Sequence, residues 1–251
     1  MKSALPIALA ALLVGTNVSA QTQVLFSEDF NSPTGFSDPD QLSWSYDLVN
    51  DLFGTAFQNT RDVETLQIVD SAKFSDPSGI GGAYALGMLS DREPDLLAAV
   101  FDVGNFGFLN VQIDISSIDL DCCGGPFNPN GEIPTFQLSL YDAPLGAFDV
   151  NSIGTAALDS ETITGTASAP QVFEWTNHIV ALDASTSTDG NVALVIDLIE
   201  GGYAGFDNIT VASSDERGAV SVPGSSSGGG AGPIALALLA IVAIGSRRRR
   251  A

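Results

Sequence analysis

The chain has 251 residues, with 30 acidic against nine basic side chains and a formal charge of −21. A polyanion repels the phosphate backbone, which nucleic-acid binding needs clustered Lys and Arg to neutralise, so nucleic acid is excluded as a partner. With 45% apolar residues and 14 Phe there is material for a buried core, which excludes global disorder.

Residues 1–20 begin with Lys2, run through the apolar stretch Ala4 to Val14 and end at Val18-Ser19-Ala20. Small residues stand at the two positions a signal peptidase reads, so this is a secretory signal peptide processed at Ala20, with a mature start expected near Gln21.

From 21 to 213 short alternating or apolar runs are broken by Gly, Pro, Asn and Asp, the pattern of an antiparallel β domain. The runs predict strands at Val24 to Phe26, Val63 to Val69, Ala83 to Leu89, Leu96 to Phe101, Leu109 to Ile118 and Thr135 to Tyr141. Further strands are expected at Val172 to Leu182, Val192 to Ile199 and Gly205 to Ala212. In the fifth of these runs Val111, Ile113 and Ile115 alternate with Gln112, Asp114 and Ser116, aliphatic on one face and polar on the other. Asp189-Gly190 reads as a hairpin turn. The fold class expected is all-β, an antiparallel two-sheet jelly-roll sandwich in one domain.

Chemistry-bearing residues are few. Cys122 and Cys123 are adjacent, and in an oxidising compartment they either close a vicinal disulfide across a tight turn or remain free or intermolecularly paired thiols. Two adjacent cysteines and the single His178 cannot supply the four N or S ligands of a zinc site. His178 lies in a strand-like run with no Gly-x-Ser-x-Gly elbow, so a Ser-His-Asp triad has no support, and no Glu-x-Asp-x-x-Glu strand motif marks a glucanase. The acidic cluster Asp119, Asp121, Asn128, Asn130 and Glu132 lacks helix-loop-helix calcium spacing and reads as a solvated loop. Trp44, Tyr46, Trp175 and Tyr203 are the candidate stacking platforms for a sugar, set against the alternative that they fill the core.

After this body come a Ser/Gly-rich linker (214–230), an uncharged run from Ala231 to Gly245 and the basic stop Arg247 to Arg250, the last two forming a segment 231–251. The 15-residue run would reach only about 22 Å as a helix, against a hydrocarbon core of about 30 Å, so it spans just if the glycines join it. Four trailing arginines would stay cytoplasmic and leave the body outside, in agreement with the signal peptide.

On Gly228, Gly229, Gly230, the apolar run and Arg247 to Arg250, this tail resembles the GlyGly-CTERM class of bacterial sorting signals. That resemblance implies cleavage near the glycines by a rhomboid-family protease, rhombosortase, after a transient stay in the inner membrane. The tail is also similar to PEP-CTERM signals handled by exosortase, although Val222-Pro223-Gly224 stands where those carry Pro-Glu-Pro. A plain membrane anchor is the simpler alternative.

Leu25-Phe26-Ser27-Glu28-Asp29-Phe30-Asn31, Gly82-Ala83-Tyr84-Ala85-Leu86 and Gly205-Phe206-Asp207-Asn208-Ile209-Thr210-Val211 resemble segments of galactose-binding-like and concanavalin-like jelly-rolls. The resemblance implies that the opening and closing segments lie side by side around a structural calcium. Glu28 and Asp207 would be its carboxylate ligands, with carbonyls from Asp76 to Gly81. Calcium takes six to eight oxygens of these kinds, whereas the bland reading leaves Glu28, Asp29 and Asp207 as solvated strand-end carboxylates.

The expectation is an exported, non-enzymatic β-sandwich of the cell surface or extracellular matrix that binds carbohydrate. The competing reading is a secreted glycan-active hydrolase or lyase. Removing both ends takes Lys2 and Arg247 to Arg250 with them and leaves four bases against 30 acids, a formal charge of −26. Such a body favours divalent cations over anionic polymers.

Overall fold

The computed structural model describes residues 21–31, 59–61, 63–68, 74–89, 95–118 and 133–221. Eleven strands occur among them. They are β1 Thr22–Glu28, β2 Asn59–Arg61, β3 Glu64–Gln67, β4 Tyr84–Leu89, β5 Leu96–Asp102, β6 Phe108–Ser117, β7 Thr135–Asp142, β8 Asp159–Thr164, β9 Thr176–Asp183, β10 Asn191–Glu200 and β11 Tyr203–Ser214.

They form two antiparallel sheets. The first runs β3-β4-β11-β6-β9, with β1 also on β11, and the second runs β2-β5-β10-β7-β8. The central strand β11 is long enough to pair on one side with β4 through Tyr203–Phe206 and then with β1 through Ile209–Ser214, while β6 lies along its other side. The chain is an all-β two-sheet sandwich, as the alternating runs require.

The core lies between the sheets. Leu109, Val111, Ile113 and Ile115 of β6 face Leu138, Leu140, Leu194 and Ile196 of β7 and β10, all buried in one cluster. Phe206 closes one end, edge-on to Phe30 at 6.4 Å and to Phe136 at 6.3 Å, and each such pair contributes about 0.5–1.5 kcal/mol beyond its buried area. A second cluster on the other face of the first sheet gathers Leu66, Ile68, Phe74, Phe173 and Tyr203 with Trp175 against it.

Four expectations are corrected. Asp189-Gly190 does not close a hairpin, because β9 and β10 belong to different sheets and the turn carries the chain across the sandwich. The strand expected from Val172 begins at Thr176; before it, Val172 makes an isolated parallel bridge to Ser75. Strands β2 and β8 were absent from the expected set, and in the edge strand β8 only Ile163 is buried. The fold also runs into the segment expected to be linker. Ser214 pairs with Thr22 and Phe108, and Asn110 beneath it binds the Glu216 carbonyl at 3.2 Å and the Gly218 N–H at 2.7 Å.

Candidate functional site

The site forms where β1 ends beside β11. Their register sets Glu28 opposite Ile209, two residues from Asp207, and across β11 Asp207 faces Asp114 of β6. Between Asp207 and Thr210 the pairing shifts by one residue, and Asn208 takes the left-handed φ of 49° that an asparagine tolerates. This bulge turns the strand so that Phe206, Asp207 and Ile209 are all fully buried.

Two loops close over the bulge. After β1 the Glu28 carboxylate accepts the N–H groups of Asp29 and Phe30 at 3.1 and 2.9 Å, Asp29 accepts that of Asn31, and the Asn31 side chain accepts the Ala83 N–H at 2.9 Å. The loop before β4 is wound on Asp76, whose carboxylate accepts the Ser78 hydroxyl at 2.6 Å and the Gly81 N–H at 2.8 Å. Gly82 is required where these loops meet: its φ is +54°, and a Cβ there would lie 1.5 Å from the Asn31 oxygen. Asn208 ties loop to bulge by donating to the Ile80 carbonyl at 3.1 Å and to Asp114 at 2.9 Å, and Asn177 donates to Asp114 at 2.7 Å.

Asp207 is the anomaly in this arrangement. Its Oδ1 accepts the Asn208 N–H, while its Oδ2 is buried without a hydrogen-bond partner. Burial pushes its carboxyl up to about 8; the Asn208 N–H opposes this, and the nearby acids Asp114, Asp29 and Asp76 add to it. Burial acts in the same sense on Asp76, but there the Ser78, Gly81 and Gly79 donors prevail and hold the carboxyl below its ordinary value.

A divalent cation would satisfy a buried orphan oxygen among carboxylates that repel it, and in that respect the residues present fit one. Among the described residues no three acidic, histidine or cysteine side chains already converge as a metal set. The remaining oxygens would therefore come from backbone carbonyls and water, as calcium accepts. An open pocket of about 430 Å³ adjoins the loops, lined by Asn31, Ile68, Asp76, Gly79, Gly82 and Ala83.

Of the aromatic candidates, Tyr203 is corrected: it is 2% exposed, buried in the second cluster, and so offers no open face for stacking. Trp175 is half-buried and stacks on Phe173 at 4.8 Å, 8° from parallel, with Gly81 pressed on its six-membered ring. Its indole N–H turns toward the Asp76 carboxylate without reaching hydrogen-bond geometry. Trp44, Tyr46, Cys122, Cys123, Ala20, Gly228, Gly229, Gly230 and the acidic cluster Asp119 to Glu132 lie outside the described residues.

The sequence reading missed Asp114, Asn208, Asn177 and Asn31. Asp114 passes for one more polar residue of an alternating strand; only the β6–β11 register shows that it faces Asp207. Asn208 carried a signal, since Asp-Asn inside a strand-like run is where a left-handed bulge residue is tolerated.

No family model and no curated protein matches the chain. Among solved structures it is similar to the CBM22-1 and GH10 modules of Clostridium thermocellum endo-1,4-beta-D-xylanase 10B, a structure complexed with xylohexaose. That match is 13% identical with a TM-score of 0.41 and covers 76% of this chain and 28% of the other. A xylan-binding domain of CBM22 matches at 14% identity and a TM-score of 0.39 over 77% and 97% of the two chains. The K3 cleaved adhesin domain of Lys-gingipain from Porphyromonas gingivalis matches at 12% and 0.38 over 76% and 99%. The class that the chain's own sheets define is an antiparallel β-sandwich with an acidic, loop-covered bulge at one end.

Proposed function

We propose that this chain is an exported, non-enzymatic β-sandwich that binds polysaccharide at the cell surface or in the extracellular matrix, with one structural calcium at the Asp207 bulge. The observation that carries this reading is the rigid stack at Trp175. An indole fixed on Phe173 and only partly exposed to solvent stands beside loops wound over an unsatisfied buried carboxylate. Such an indole is a stacking surface for a sugar ring, and a cation on Asp207 would hold the Asp76 to Gly81 loop that presses on it. Glu28, Asp207 and carbonyls of that loop are the residues proposed to hold the ion. Export through the leader, brief residence in the inner membrane through 231–251, and release by a rhombosortase-type or exosortase-type protease near Gly228 to Gly230 complete the proposal. A plain anchor would leave the protein on the membrane.

Calcium should raise the melting temperature and a chelator should lower it again, because an ion bound in the native state alone stabilises that state. On an array of polysaccharides, retention should depend on calcium and fall with Trp175→Ala while the fold persists. Retention unchanged by Trp175→Ala sinks the platform, and reducing ends released from any polysaccharide would establish the competing reading of a glycan-active hydrolase or lyase.

A further inference from the structure

The loop after β7 holds an apolar tip that neither sheet uses. Pro144, Leu145, Gly146 and Ala147 are all exposed, and Leu145, at 93%, is far more exposed than any other large apolar side chain among the described residues. A lone exposed leucine is unremarkable in itself. What sets this one apart is its backbone. The Gly146 N–H closes a turn on the Ala143 carbonyl at 2.8 Å, with Pro144 second and Leu145 third, and Leu145 has φ 60° and ψ 20°. A turn of this kind places glycine or asparagine third, because a branched side chain at positive φ is strained.

The strained leucine is held in place from both sides. The Asp189 carboxylate accepts the Leu145 N–H at 2.7 Å, and Asp189 is itself fixed by the Asn191 N–H at 3.0 Å. Below the tip, Phe148 packs on Tyr141 with ring centroids 5.6 Å apart, within the cluster that includes Val150 and Val195. The chain thus tolerates a local backbone cost to present an apolar side chain outward on a rigid base. Asp142 and Asp149 flank the tip in the chain and Asp189 binds its backbone, acidic surroundings that repel anionic lipid headgroups and acidic polymers and attract basic side chains.

We propose that the Pro144–Ala147 tip is a docking peg for a partner protein, whose receiving pocket is apolar with a rim of Lys or Arg. The charge around the tip selects a protein over a bilayer. It also argues against a second copy, since the chain sets only nine bases against 30 acids.

The test uses the full chain in its native host, with benzoylphenylalanine in place of Ala147 and Leu145 untouched. Near-ultraviolet light should give a protein adduct. Its yield should fall about tenfold or more with Leu145→Gly, as loss of a buried leucine implies, and should fall again at about 1 M salt, where charge contacts are screened within about 3 Å. Leu145→Gly should melt within a few degrees of the parent, because glycine adopts this φ freely, so lost docking cannot be ascribed to unfolding. Leu145→Asn, which also tolerates the left-handed region, should behave alike. An adduct indifferent to Leu145, an adduct only with lipid, polysaccharide or another copy of this chain, or no adduct at all would each overturn the proposal.

Discussion

Aspartate serves two opposite purposes in this protein. Asp76, Asp142, Asp183 and Asp189 each accept N–H or hydroxyl donors from their own or an adjoining loop, and these hydrogen bonds hold all four carboxyls below their ordinary value. Their charge is what knits the loops. Asp207 has the same side chain in the opposite setting, buried with an orphan oxygen and raised to about 8. Without a cation, its ionisation at high pH opposes the fold, so Asp207→Asn should raise the melting temperature of chelator-treated protein at about pH 9, one unit above that value. The same substitution should erase the rise that calcium produces in the parent. A variant that keeps its calcium response would place the ion elsewhere.

At the scale of elements, legibility followed burial. Strands β5, β6, β7, β10 and β11 carry the core and were readable, because a half-buried strand must alternate or run apolar. Strand β8 was not readable: as an edge strand whose Ser160-Glu161-Thr162 faces solvent, it is held by the pairing of Thr135 to Leu140 with its backbone, which leaves no pattern in side chains. The segment after β11 was misread for a related reason. Its Ser, Asp and Glu have the composition of a linker, yet Asn110 is fully buried under it and Arg217 caps it, lying 4.7 Å over the Phe108 ring and donating to the Ala181 carbonyl at 3.1 Å. Asn110→Ala removes the acceptor of the Gly218 N–H and one of the two donors to the Glu216 carbonyl, which keeps the Ser214 hydroxyl, and should cost about 1–3 kcal/mol of stability, measured by urea unfolding. It should also raise hydrogen exchange across 215–219 while the calcium response stays intact.

For the whole molecule the two kinds of aspartate set a pH profile with a distinctive shape. The lowered carboxyls contribute stability above their unfolded value of 3.8, which is lost as pH falls through their folded values, so acid should unfold the protein. Asp207 acts in the opposite sense. Its folded value is raised, so with no cation its proton is retained on folding, and stability should decline as pH rises from about 4 toward about 8. Chelated protein should therefore be most stable in mildly acid solution, and calcium should remove the decline on the alkaline side by replacing the proton. Melting temperatures across pH 3 to 9, with calcium and with chelator, check both limbs. Superimposable alkaline limbs would count against an ion at Asp207.

Composition and alternation by themselves determined that the body is acidic, β-rich and built as a sandwich, because periodicity is imposed locally by which face of a strand is buried. The Glu28 and Asp207 segments stand out in the sequence only through their resemblance to segments of known jelly-rolls, since alternation by itself does not mark them. Which groups meet was decided only by tertiary structure. The β1–β11 and β6–β11 registers bring Asp207 and Asp114 together across the chain, the bulge at Asn208 buries the carboxylate, and the crossing between sheets places Asp189 under Leu145. Register and crossover are properties of strand pairs far apart in sequence, and no single strand records its partner.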